Sequence, residues 1–162
     1  MVLLKWSLGL LVVGVLLALG VGQLGFLAGE MPTNLGVRDG RLQPPSATPN
    51  SVSSQAGLYP THPMHLAASI DPLPTLGSGP ATLARIREIV EHMRGGKVMR
   101  EDGDYLYVQF TTRWMKFVDD AEFWFDPTAN VVQVRSASRL GDKDFGVNRK
   151  RIEAIREQLT TP

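Results

Sequence analysis

Between Trp6 and Gly29 the chain carries no charged residue, and Leu, Val, Gly and Ala dominate the run. At 1.5 Å of rise per helical residue, its roughly 24 residues extend about 36 Å, more than the ~30 Å hydrocarbon core of a bilayer. A helix that is apolar all round has no place in a small soluble core, because nothing downstream can cover every side of it. The run therefore predicts a membrane-crossing segment, with residues 8–28 in lipid, Trp6 at the interface and Lys5 snorkelling outward. A cleaved signal sequence is the competing reading. Against it, the run exceeds an ordinary signal core and no clean small-x-small site comes after it. Lys5 on one side and Arg38 and Arg41 on the other leave the orientation open by charge count. The expectation is a single-pass protein of the inner (cytoplasmic) membrane, with a short cytoplasmic tail and its soluble domain outside the cytoplasm.

The remainder of the chain is long enough for one domain of about 100 residues and one modest core. The chain of 162 residues has no cysteine, which removes thiol catalysis, disulfides and thiolate metal sites. A formal net charge of +1 gives no electrostatic footprint for nucleic acid.

Composition divides the chain into an anchor or signal segment at 1–29, a Pro/Gly/Ser-rich linker at 30–54 and an α+β domain at 55–162. The linker holds too few large apolar residues to fold alone, so it reads as a flexible linker or an extended strap. Residues 55–80 read as irregular chain lying on the domain, with one short edge strand near 66–70. Leu83, Ile86, Ile89, Val90 and Met93 keep a helical rhythm, closed by Gly95-Gly96. Alternation then predicts strands. Leu106, Val108 and Phe110 face one way, while Tyr105, Tyr107, Gln109 and Arg113 face the other. Two further strands place Glu122, Trp124, Gln133 and Arg135 on that second face, which is expected to be half wet. Its aromatics and arginines fit either a ligand platform or ordinary cross-strand pairs. Ile152, Ile155 and Leu159 mark a last helix over 149–159. The fold class is α+β: an N-terminal transmembrane helix, then an antiparallel β-meander of three to five strands covered by two helices.

Unusual residues concentrate in 135–151. Arg135 and Arg139 bracket a Ser-Ala-Ser run, Asp142 and Asp144 come next between two glycines, and Asn148 reads as an N-cap. Arg149, Lys150 and Arg151 then face the positive end of the helix dipole, an unfavourable placement that needs an offset. Two offsets compete. Asp119, Asp120, Asp142 and Asp144 pair with the cations, or an anion binds at the helix start. All of these groups are expected to meet as one electrostatic unit. As a hard-cation site the four aspartates are weak, since a calcium loop's third acidic ligand and distal Glu are missing. Asp119 and Asp120 are adjacent and point apart in an extended chain, which argues against a carboxylate dyad. His62 and His65 lack the third partner a metal needs. Trp114-Met-Lys-Phe117 is an apolar loop tip that either touches a membrane or partner or tucks under as a satellite core.

The runs Gly103-Asp-Tyr-Leu-Tyr-Val-Gln-Phe-Thr-Thr-Arg113, Phe117-Val-Asp-Asp-Ala-Glu-Phe123, Arg135-Ser-Ala-Ser-Arg-Leu-Gly141 and Gly146-Val-Asn-Arg-Lys-Arg-Ile152 resemble the domain of unknown function 1499 family. The resemblance covers about 49–159. It implies a fold and a set of favoured positions, and no reaction. The family's pattern has cysteine in a Pro-Asn-Cys-Val-Ser-Ser segment, where this chain reads Pro49-Asn-Ser-Val-Ser-Ser54, so no thiol role exists at that point.

The sequence contains no nucleophile–base pair, phosphate loop or adequate metal set, and implies no cofactor. The leading expectation is non-catalytic binding of a partner protein or anionic ligand through Arg113, Arg135, Arg139, Asn148, Arg149 and Arg151. The alternative is a hydrolase using Asp119, Asp120, Asp142 or Asp144, with the arginines stabilising an oxyanion.

Overall fold

The computed structural model describes residues 2–161, with side chains from Trp6 to Thr161. The expected snorkelling of Lys5 falls on a side chain outside the described residues. Helix α1 spans Val2–Gln23, 22 residues, or about 33 Å at the helical rise. Its Trp6–Gln23 window is long and apolar enough to cross a membrane, with a mean hydropathy of 1.9 and almost no burial. The helix ends at Gln23, short of the Gly29 limit of the uncharged run, because turns take over at residues 24–27.

The remaining elements are β1 (Ser51–Ser53), a 3-10 turn (Ala56–Leu58), β2 (Leu73–Pro74), α2 (Gly79–His92), β3 (Gly96–Asp102), β4 (Tyr105–Thr111), β5 (Val118–Asp126), β6 (Val131–Ser138) and α3 (Val147–Thr160). Strand order is β1-β6-β5-β4-β3, with β2 also paired to β6, and every named pairing is antiparallel. Turns at 103–104 and 127–130 and a six-residue loop at 112–117 join the strands of the β3–β6 meander. The edge strand expected at 66–70 lies instead at Ser51–Ser53, and Ser69 contributes one isolated bridge to Ser53. Val52, an apolar residue amid serines, is fully buried there and carries the strand into the sheet.

Both faces of the sheet are covered. On one, Leu83, Ile86 and Val90 of α2 and Ile152 and Ile155 of α3 close over Leu106, Val108, Phe123 and Val134. On the other, Leu42 packs with Tyr105, Tyr107 and Trp124, joined by Leu35 and Val37. The chain preceding β1 therefore lies across the second face as a strap. The half-wet face expected there is a correction: Tyr105, Tyr107, Glu122 and Trp124 are all buried. Their aromatic bodies supply the apolar surface that the strap needs to dock.

Candidate functional site

Burying that face requires its polar groups to find partners. Glu122, with no exposed surface, accepts at Oε1 from the Tyr105 hydroxyl at 2.7 Å and from the strap amide of Gly36 at 2.7 Å. Its Oε2 lies 3.8 Å from Arg135 Nη1, and Arg135 Nε donates to Pro44 O at 3.0 Å. Burial pushes the Glu122 carboxyl above the usual range, partly offset by the Gly36 amide, Tyr105 and Arg135. Burial likewise pulls Arg135 below its usual value, with Glu122 opposing. Arg135 thus clamps the strap from inside the fold.

One register step away, Arg139 grips Asp120 with two bonds, Nε to Oδ2 and Nη2 to Oδ1, both 2.8 Å. The Tyr107 hydroxyl donates to Asp120 Oδ1 at 2.6 Å, and Gln109 Nε2 donates to that hydroxyl at 2.8 Å. Burial and Asp120 push the Tyr107 phenol up to about 12. Asp119 points to the other side of the sheet, where Arg151 Nη2 of α3 donates to its Oδ2 at 2.6 Å. The two aspartates therefore face apart, each with its own arginine.

Asn148, the expected N-cap, lies inside α3 and is fully buried. Gly146, in the left-handed region at φ 78°, occupies the cap position. The capping carboxylate is Asp144, whose Oδ1 accepts from Gly146 N and Oδ2 from Asn148 N, both at 2.9 Å. Partial burial raises this carboxyl, and the two amides outweigh it, so it titrates below the usual range. Asn148 instead ties α3 to the sheet. Its Nδ2 donates to Asn50 O at 3.1 Å and Ser138 Oγ at 3.0 Å. Its Oδ1 accepts from Ser136 Oγ at 2.5 Å and Arg151 Nη1 at 2.7 Å. Arg149 Nη2 reaches the carbonyls of Ala67 and Ser69. Lys150 and Asp142 are exposed on the surface. The 135–151 residues are thus divided between two faces of the sheet and a helix cap, with most of their charge answered within the fold.

Arg113 belongs to another place. It sits in the β4–β5 loop, its guanidinium stacked 4.7 Å from the Trp114 ring. With Arg94 after α2 and Arg151 on α3, it lines an open groove of about 440 Å³ whose other walls include Phe110, Trp114 and Phe117. The Arg151 guanidinium lies 4.4 Å over the Phe110 ring. Trp114 is 59 % exposed and Phe117 37 %, so the loop tip faces outward rather than forming a satellite core.

This loop touches the end of α1. Gln23 Nε2 donates to Trp114 O at 2.8 Å and to Arg113 O at 3.3 Å. Gly22 allows the approach, since a Cβ there would lie 2.7 Å from Met115 O. The groove therefore opens beside the last turn of the apolar helix. Among the described residues, no three His, Asp or Glu side chains gather as a metal would require.

Fold and surface define an α+β domain with an apolar N-terminal helix, a strap-covered sheet and internally answered charges. The chain belongs to the DUF1499 family, described as a protein of unknown function, whose model matches residues 41–159. No curated protein and no solved structure matches it. Arg94, Leu42 and Gly36 are not among the residues expected from the sequence. Arg94 comes directly after Met93, the last apolar position of the helical rhythm and the C-cap of α2, which could have marked it as a cation at the helix's end. Gly36, in a Pro/Gly-rich stretch, carries no such signal.

Proposed function

We propose that this chain is a single-pass protein of the cell envelope whose domain sits against the bilayer and binds an anionic ligand there without catalysing a reaction on it. One observation carries the reading: the exposed 112–117 loop, with its Trp, Met and Phe, is bonded to the final turn of the apolar helix. An interfacial Trp is at home where hydrocarbon meets headgroups, and three arginines line the adjoining groove. The binding surface is this membrane-proximal groove. Of the residues expected to bind, it takes Arg113 and Arg151, while Arg135, Arg139, Asn148 and Arg149 bond within the fold. The hydrolase alternative has less support, since Asp119 and Asp120 are buried in arginine pairs on opposite sides of the sheet.

Because the chain has no cysteine, single-cysteine variants report position directly. In spheroplasts, a membrane-impermeant maleimide is expected to label Asp142→Cys at once and Trp114→Cys only after detergent is added. Labelling of Asp142→Cys only after lysis would put the domain on the cytoplasmic side. Equal rates at both positions would remove the loop from the bilayer.

A further inference from the structure

The groove's ligand can be named by class. Three observations bear on it, and the inference rests on the bilayer-apposed reading above. First, the groove lies beside Gly22 and Gln23, the final turn of α1, which places it at headgroup height if that helix spans the membrane. Second, its lining includes Arg94, Arg113 and Arg151 and no carboxylate residue. Arg151 is already paired with Asp119, whereas Arg94 and Arg113 are exposed and take part in none of the ion pairs among the described residues. Third, Phe110, Met115 and Phe117 give the same groove an apolar wall.

We propose that this groove seats one anionic phospholipid of the surrounding leaflet, with Arg94 and Arg113 holding its phosphodiester. A guanidinium offers paired donors that match two phosphate oxygens, and the apolar wall suits the glycerol and first acyl methylenes. A free phosphate has no use for that wall. A zwitterionic lipid brings its own cation against the arginines, so the groove selects phosphatidylglycerol over phosphatidylcholine.

The test uses the full chain in neutral detergent, with lipid retention read by native mass spectrometry. Wild type is expected to keep one phosphatidylglycerol in preference to phosphatidylcholine. The variant Arg94→Gln/Arg113→Gln is expected to lose roughly fivefold in retention per arginine, with its urea midpoint unchanged because both side chains are exposed. Equal retention of the two lipids, or unchanged retention in the variant, overturns the inference. Displacement of the lipid by inorganic phosphate alone would reassign the site to a free anion. If Trp114→Cys is protected in membranes but no lipid preference appears, the bilayer-apposed reading stands and this inference fails. If Trp114→Cys is not protected, the reading itself fails.

Discussion

Asp119 and Asp120 are consecutive, yet their carboxylates meet different arginines on opposite sides of the sheet, Arg151 at 2.6 Å and Arg139 at 2.8 Å. Strand geometry forces the divergence, and β5 uses it as a rivet. One aspartate fixes α3; the other orders the face beneath the strap. Both pairs are almost buried, so neither is a surface ion pair of negligible worth.

Asp120→Asn leaves the Arg139 guanidinium buried without its counter-charge and is expected to cost about 3 kcal/mol. The urea midpoint of the full chain reads this. Replacing the whole buried set by apolar residues, Asp120→Leu with Arg139→Met and Tyr107→Phe, which removes the hydroxyl that donates to Asp120, is expected to recover most of the loss. A single variant within a few tenths of a kcal/mol of wild type would show that the pair contributes little.

Leu42 is the strap's buried apolar anchor. Leu42→Ala is expected to cost about 3 kcal/mol, as for other buried leucines. It should also loosen the cover over Tyr107, whose phenol is held up near 12. Alkaline titration of tyrosine absorbance should then show a phenol ionising closer to its ordinary value of 10.0. An unchanged titration curve would mean the strap does not shield it.

Asn148→Ala removes a buried side chain bonded to Asn50, Ser136, Ser138 and Arg151. Partners left unsatisfied cost about 1–3 kcal/mol, and because α3 and β1 share this hub, both should loosen together. Hydrogen exchange that quickens in α3 but not in Ser51–Ser53 would contradict the shared role.

The Asp144 cap gives a pH signature. Its folded carboxyl titrates below the ordinary 3.8, so its stabilising contribution is complete above that value and lost as pH falls through the lower, folded one. Glu122, raised by burial, works with the opposite sign: its contribution is present below the ordinary carboxylate value and lost as pH rises. The informative quantity is therefore the difference between wild type and Asp144→Asn. Wild type is expected to lose more stability than Asp144→Asn on acidification from about pH 5 to pH 2. Parallel losses would dismiss the cap.

The meander, both packing helices and the apolar N-terminal helix were legible because alternation and helical rhythm report burial directly. Asp119 and Asp120 facing apart was legible for the same reason. The second face was not. Tyr, Glu, Trp and Arg read as solvated, and only the strap, drawn from a Pro/Gly-rich stretch with a single well-buried leucine, turns them into a core. Asn148 was misplaced by two residues because Asp144 and left-handed Gly146 together start the helix. Arg135 and Arg139 looked like a ligand site because a sequence shows a cation but not its buried counter-ion.

The central claim is that the 112–117 loop rests in the bilayer interface beside the end of α1. Quenching of Trp114 by brominated lipids tests it most directly, in full-length protein reconstituted in nanodiscs. The Trp114 signal is taken as the difference between wild type and Trp114→Phe, which cancels Trp6 and Trp124. Strong quenching from bromines near the headgroup, weakening as they move toward the bilayer centre, is the expected result. Trp114 emission that ignores the brominated lipids and is quenched by aqueous iodide would contradict it.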